Sequence, residues 1–332
     1  MRHNTLLSIA VLAMSAAHAQ DIVSARAGLI HHMEGSVLID NKEVTQVGDQ
    51  FVSMKQGETL STELGRAEVL LNAGTYLRIG EDSSFKLVSA DLENTRLTLL
   101  SGTVLIEVAD LPKDTSATIE VLGSQIALKK RGLYEFTASA PGNVRVYDGE
   151  ISLTASGATP IKISKGREIA FNALSSGPGK FDEKDTSELY NWGSRRALYI
   201  AQANQAAAKS AYTGTGYNSL SAMGLLGSYR GMWIFNPAYG MYTYLPMTGF
   251  GYSPYGIQIY SPQTAYVRVV QPISSGFDNS ANSGQRSAVS SPAYSNSAAA
   301  SSSAGAVSLP AATAPAVASP NTGGGGDAGR RR

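Results

Sequence analysis

The sequence predicts an all-β domain, a rolled antiparallel sheet with β-solenoid character, followed by an amphipathic helix, an aromatic Gly/Pro-rich segment and a disordered tail. Residues 28–172 consist of short runs in which apolar and polar residues alternate, as in half-buried strands. Residues 183–211 have the 3.6-residue period of a helix. From residue 272 to residue 332 the composition is dominated by Ser, Ala, Gly and Pro, which have little apolar surface to bury.

Residues 1–19 have the features of a secretory signal peptide. Arg2 gives a basic start, residues 6–14 are apolar, and Ala17-His18-Ala19 supplies a small-residue cleavage site. The apolar run is shorter than the roughly 20 residues that a membrane-spanning helix needs. We therefore expect cleavage near Ala19/Gln20, a mature protein that is periplasmic or secreted to the cell envelope, and no membrane span after cleavage.

Turn signals divide residues 28–172 into strands. Asp148-Gly149 separates "NVRVY" from "EISLT", and this dipeptide is typical of a two-residue hairpin, because a type I′ turn needs positive φ at both positions. Asn72-Ala73-Gly74 and Leu100-Ser101-Gly102 indicate similar reversals. We therefore predict a hairpin at each of these three places.

The order and spacing of these strands resemble the FecR domain, a periplasmic β domain first known from iron-citrate signalling. The segments that carry the resemblance include "GSVLID", "LTLLSGTVLIEV" and "VRVYDGEISL", and together they lie within residues 30–172. The resemblance implies a β domain that acts with a protein partner in cell-surface signalling. The iron-signalling regulators carry a cytoplasmic segment and a transmembrane helix before this domain, whereas this chain starts with a signal peptide, so only the extracytoplasmic module is expected to correspond.

The amphipathic helix is predicted over residues 183–211. Asp185 followed by Glu188 resembles a capping box at its start. One face of the helix then carries Leu189, Trp192, Arg196, Tyr199 and Ala203. We expect Trp192 and Tyr199 to dock the helix onto the β domain or the aromatic segment; a partner-binding helix is the alternative.

The aromatic segment, residues 212–271, contains a weak repeat of about eight residues, marked by Pro237, Pro246, Pro254 and Pro262. Because proline fixes φ and lacks a donor, we predict four short extended pieces joined by bends. The aromatic side chains could form a second small core, a platform for sugar rings, or a protein interface. We expect most of them to build structure, and the candidate binding residues are Trp233, Phe235, Tyr239, Tyr242, Tyr244, Tyr252 and Tyr255.

Few residues are placed for catalysis. The chain has no cysteine, which excludes disulfides and thiolate metal sites, and a formal net charge of +1, which gives no case for nucleic acid. The adjacent His31 and His32 should point to opposite faces of a strand, as partly exposed polar residues, rather than share a metal. The paired acids at Glu81-Asp82, Asp148/Glu150 and Asp182-Glu183 are typical of turns. We therefore predict no catalytic residue, no metal site and no cofactor.

The functional prediction is an exported, non-enzymatic binding or scaffold protein of the bacterial cell envelope. Its partner would be an envelope protein or a polysaccharide. Two alternatives remain open: a regulatory partner in cell-surface signalling of the sigma/anti-sigma type, and a polysaccharide-binding or polysaccharide-active protein.

Overall fold

The structure, a computed structural model, describes residues 27–265 except 47–49, 92, 112–114, 156, 214–230 and 248. The predicted signal peptide (1–19) and the predicted disordered tail (272–332) lie outside the described residues. No helix in the described part of the chain is long and apolar enough to cross a bilayer.

The first fifteen strands form one sheet. They are β1 (Leu29–Ile39), β2 (Lys42–Glu43), β3 (Thr59–Leu70), β4 (Thr75–Ile79), β5 (Ser84–Ala90), β6 (Asn94–Ser101), β7 (Thr103–Val108), β8 (Ser116–Val121), β9 (Ser124–Leu128), β10 (Gly132–Thr137), β11 (Asn143–Asp148), β12 (Glu150–Thr154), β13 (Ile161–Ser164), β14 (Arg167–Ala170) and β15 (Gly179–Lys180). A 3₁₀ turn over Phe171–Ser176 precedes β15.

The sheet is rolled into two layers by the long strand β3. Its first residues, Thr59–Ser61, pair with β5, and its last residues, Ala67–Leu70, pair with β4. From β3 the order runs through β5, β6, β8, β9, β12 and β13 in one direction and through β4, β7, β10, β11, β14 and β15 in the other. Neighbours are antiparallel except for β6 and β8. The prediction of an all-β, mainly antiparallel rolled domain is confirmed.

The inner faces of the two layers enclose the main core. Its most deeply buried members come from both layers and are almost all aliphatic or aromatic: Leu60, Leu77, Ile79, Phe85, Leu87, Ile106, Phe136, Val144, Val146, Ile126, Ile151 and Leu153. Burial of this apolar surface stabilises the roll, at roughly 25 cal/mol for each Å² removed from water. The chain has no disulfide to assist it.

The hairpin predicted at Asp148-Gly149 is wrong. Strand β11 pairs with β10 and β14, whereas β12 pairs with β9 and β13, so the two flanking strands belong to different layers. Gly149 is the corner between them, with φ +91°. A Cβ at this position would lie 2.2 Å from the Tyr134 hydroxyl and 2.5 Å from the Arg131 carbonyl oxygen, so glycine is required by close approach as well as by φ.

The hairpin predicted at Leu100-Ser101-Gly102 is also wrong. Strands β6 and β7 do not pair with each other, and a Cβ at Gly102 would lie 2.0 Å from the Ser83 hydroxyl. Asn72-Ala73-Gly74, in contrast, joins the paired strands β3 and β4 as predicted. Turn residues thus marked each change of direction correctly, but they did not show which strand becomes the partner.

Helix α1 (Glu188–Thr213) follows the sheet. It begins at a serine cap: the Ser187 hydroxyl accepts a hydrogen bond from the Tyr190 amide at 3.0 Å, in place of the predicted cap at Asp185. Trp192 is buried as expected, but Tyr199 is 42% exposed. Both lie on one flank of the helix. Strand β1 covers this flank beside Trp192, whereas Tyr199 contacts the half-buried Tyr239, at a ring-centroid distance of 5.6 Å, and the Arg196 guanidinium, at 5.9 Å.

The aromatic segment forms two hairpins packed on α1. Strand β16 (Gly231–Asn236) pairs with β17 (Met241–Pro246), and β18 (Phe250–Tyr252) pairs with β19 (Gln258–Tyr260). Strands β17, β18 and β19 follow Pro237, Pro246 and Pro254, as the proline spacing predicts. The fourth extended piece is wrong: residues 262–265 are helical, and the remaining strand, β16, precedes Pro237.

A single amide side chain of α1 joins the two hairpins. Asn204, which is buried, donates to the carbonyl oxygen of Tyr244 in β17 at 2.9 Å and to that of Tyr260 in β19 at 3.0 Å. Its own carbonyl oxygen accepts the Tyr260 amide at 2.7 Å. The Asn204 side chain therefore satisfies backbone groups that would otherwise be buried without partners.

We expect Asn204→Ala to lower the free energy of unfolding by about 2–4 kcal/mol, because three buried backbone groups lose their partner. Urea unfolding followed by tryptophan fluorescence measures this, since Trp233 lies in β16. Gln202→Ala, an exposed position two residues earlier, is the control and should change little. Equal effects of the two substitutions would contradict the structural role of Asn204.

Candidate functional site

Helix α1 and the two hairpins cover one face of the sheet, which we call the outer face: the side of β3, β4, β7 and β10 opposite the main core. All five residues of β4 are buried, as are five of the six in β7 and in β10. These strands therefore contact protein on both sides. The outer face carries buried charged side chains, which are rare in protein interiors.

Five residues form a buried ionic cluster beneath α1: His31, Glu68, Arg78, Glu107 and Arg196. One carboxylate oxygen of Glu68 accepts from His31 Nδ1 at 2.8 Å and from Arg196 Nη2 at 2.9 Å, and the other accepts from Arg78 Nε at 2.9 Å. Arg78 Nη1 donates to Glu107 at 2.8 Å. The side chains of His31, Glu68 and Arg78 have no solvent exposure.

The charges in the ionic cluster balance. Burial by itself would raise the pKa of Glu68, but Arg78 and Arg196 outweigh it and hold that pKa well below its usual range. Burial raises the pKa of Glu107, and Arg78 only partly opposes this. Burial also lowers the pKa of His31, which keeps the imidazole neutral. Two carboxylates therefore face two guanidinium groups, and the site is a structural network rather than an exposed acid or base.

The positions of the two histidines differ from the prediction. His31 is buried rather than partly exposed, because a register shift between Ile30 and His32 interrupts the alternation of β1. His31 shares Glu68 with Arg196 of α1, and His32 stacks on Trp192 of α1 at 6.2 Å. Both rings therefore support the docked helix.

Gly193 allows α1 to approach the ionic cluster closely. A Cβ at this position would lie 2.5 Å from the Tyr255 hydroxyl, 3.0 Å from a methyl of Leu105 and 3.1 Å from Cδ of Arg78. The Arg78 guanidinium lies 5.9 Å from the centre of the Tyr255 ring. Glycine has a lower helix propensity than alanine, but at position 193 the close packing requires it.

The seven predicted binding residues are divided by burial. Trp233, Tyr242 and Tyr244 are buried; Phe235, Tyr239 and Tyr255 are half-buried; Tyr252 is 48% exposed. Trp233 packs edge-on against Tyr76 at 4.9 Å, which ties the first hairpin to the sheet. Ligand binding by the seven stays a prediction, and three of them lie in the protein interior.

Some of the predicted turn acids are paired with basic side chains. Glu81 bonds Arg66 at 2.8 Å, and Glu150 bonds Lys130 and Lys162 at 3.0 and 2.8 Å. Within the described ranges, no three His, Asp or Glu residues gather as metal ligands.

An exposed stripe of α1 was not recognised in the sequence. It consists of Arg195, Leu198, Tyr199 and Gln202, all of which are exposed; Leu198 is 53% exposed. Tyr239 of the first hairpin lies beside it through its contact with Tyr199. We call these four residues the helix stripe. The adjacent large residues Leu198 and Tyr199 are visible in the sequence, but their exposure depends on how α1 docks on the sheet.

We expect Glu68→Gln to lower the free energy of unfolding by about 3–5 kcal/mol, because it leaves buried guanidinium groups without their carboxylate. Glu81→Gln, which removes an exposed pair, should cost less than about 1 kcal/mol. The folded-state pKa of Glu68 lies below the ordinary 4.5, so its stabilisation is present above that pH and is lost as the pH falls further. Urea titrations between pH 7 and pH 3 should show the wild type and Glu68→Gln converging in acid; parallel curves would contradict this.

Gly193→Ala tests the close approach of α1. Helix propensity alone would stabilise an alanine by about 0.5–1 kcal/mol relative to glycine. We expect a net loss of about 1–3 kcal/mol instead, because the new methyl group overlaps the Tyr255 hydroxyl. Ser194→Ala is the neighbouring control, and thermal unfolding is the measurement. A raised melting temperature for Gly193→Ala would show that the helix can move away at no cost.

Comparison with known proteins finds one protein family and two distantly similar crystal structures. No curated protein matches the chain. Two crystal structures of a protein described as a "putative anti-sigma factor" from Parabacteroides distasonis ATCC 8503 are similar, at 12% and 10% identity and TM-scores of 0.32 and 0.33. They cover 37% and 42% of this chain, which spans 59% and 64% of theirs. The family model described as FecR protein matches residues 34–152, and over these residues the chain carries a FecR domain.

Proposed function

We propose that this chain is an exported, non-enzymatic protein-binding component of the bacterial cell envelope that takes part in cell-surface signalling. The observation that carries the proposal is the FecR domain over residues 34–152. The narrower role, a regulatory partner of the sigma/anti-sigma type, rests on that family match. Export rests on the signal-peptide pattern of residues 1–19.

The helix stripe is the surface that we assign to the partner. It presents one large aliphatic side chain, one tyrosine and one arginine on a regular helix, and Tyr and Arg are among the residues enriched at the energetic centres of protein interfaces. The helix beneath it is fixed: Trp192 donates to Glu34 at 3.0 Å, and Arg196 reaches the ionic cluster. A surface held in place loses little conformational freedom on binding.

The chemistry of the helix stripe indicates what the partner presents. Leu198 and Tyr199 need an apolar recess, since they expose about half of their surface. Arg195 has no ion-pair partner within the described residues and is exposed, so an acidic group at the rim of that recess would complement it. The partner is therefore a protein with an apolar recess bordered by Asp or Glu.

Photocrosslinking in the source bacterium tests this surface. We expect p-benzoylphenylalanine in place of Leu198 to form a covalent adduct with one envelope protein. The same group in place of Leu122, which is 54% exposed in the turn between β8 and β9, should form none. Adding Arg195→Glu to the Leu198 probe should reduce the adduct at least about tenfold, since it reverses the charge that complements the partner.

Two results would contradict the proposal. Equal adduct yields from positions 198 and 122 would mean that the helix stripe is not selective. An adduct yield that Arg195→Glu leaves unchanged would mean that no acidic group of the partner faces Arg195. Circular dichroism of each variant checks that the fold is intact.

A further inference from the structure

A groove lies at one end of the rolled sheet, and none of its lining residues belongs to the helix stripe. It is formed by the turn between β10 and β11, the start of β11, strand β14 and the 3₁₀ turn that follows it. Its volume is about 460 Å³, within the range of small-molecule sites. We call it the end groove.

Three polar side chains of the end groove are free to bind a ligand. Ser139, Asn143 and Ser176 line it, and none has a side-chain hydrogen-bond partner within the described residues. They come from three elements, the β10–β11 turn, β11 and the 3₁₀ turn. Together they offer two hydroxyl groups and one amide, which can both donate and accept.

A charged pair in the end groove is already neutralised. Arg145 Nε donates to Glu168 at 2.8 Å, and the two side chains keep 22% and 31% of their exposure. Arg145 is held further by the Asp185 backbone carbonyl at 3.4 Å and by the Phe181 ring at 5.4 Å. Arg145 Nη2 also lies 3.6 Å from Asp185 Oδ2, so two carboxylates compensate its charge and it is not free to hold an anionic ligand.

The remaining walls of the end groove are small and partly apolar. Pro141, Ala170 and Ala173 line it, and Gly177 has open space where a side chain would stand. Such walls can contact the C–H faces of a ring while the polar groups meet its hydroxyls. An extended peptide is a poorer fit, because the sheet edge at this end is β15, only two residues long, and offers little backbone for strand addition.

We propose that the end groove binds a neutral oligosaccharide. The site is distinct from the helix stripe and does not depend on a protein partner there. It fits a ligand rich in hydroxyl groups because its free donors and acceptors are dispersed, uncharged and separated by small apolar walls.

Titration of the full chain by ¹H–¹⁵N NMR tests the site, with three neutral probes: the β-1,4-linked tetramers of N-acetylglucosamine, glucose and xylose. We expect at least one to shift the amide signals of residues 137–145 and 168–179. The double variant Asn143→Ala/Ser176→Ala should weaken that binding at least about fivefold, as expected when two hydrogen bonds are lost. Ser152→Ala, a polar strand residue outside the groove, should leave it unchanged.

The outcomes separate the proposal from its alternatives. Absence of shifts with all three probes, or shifts confined to other residues, overturns it. Shifts in the groove that the double variant leaves unaltered also overturn it, provided that the spectrum of the variant remains dispersed. Because crosslinking at position 198 is measured independently, failure of either proposal leaves the other standing.

Discussion

The buried carboxylate of Glu68 determines how the two parts of this protein are joined. It accepts from His31 of β1, from Arg78 of β4 and from Arg196 of α1, so one side chain links two strands of the sheet to the helix that covers them. A charge with no access to water is stable only while its partners are in place. The ionic cluster therefore fixes the position of α1 along the sheet more strictly than apolar packing would, since apolar contacts tolerate sliding and an unpaired buried charge does not.

The outer face explains why the chain after the FecR domain is so aromatic. Leu29, Leu70 and Tyr76 project from the sheet beside the ionic cluster and pack against Trp233, Tyr242 and Tyr244 of the first hairpin. These rings cover charged groups and large apolar side chains together, because an aromatic ring combines extensive apolar area with a polar edge. Most of the aromatic segment thus functions as a lid for one face of the sheet, and the surface left for recognition is found on α1.

The sequence was informative wherever a local pattern determines the structure. Alternation identified the β domain, the period of α1 identified the helix, and proline spacing identified three of the four short strands of the hairpins. It failed where pairing is non-local: Asp148-Gly149 has the residues of a hairpin, yet its flanking strands pair with different neighbours and enter different layers. The ionic cluster was missed for the same reason, since Glu68, Arg78 and Arg196 are ordinary surface types and only the fold brings them together under a helix.

The rigid joint between sheet and helix bears on how a signalling role could operate. A partner that binds the helix stripe contacts a helix that is fixed beside the stripe to Glu34 through Trp192 and to Glu68 through Arg196. Any movement of α1 on binding would have to separate Arg196 from a fully buried carboxylate, which is costly. Recognition at this surface is therefore expected to proceed with the FecR domain and α1 as one body, and a change transmitted on binding would arise from the geometry of the complex rather than from release of the helix.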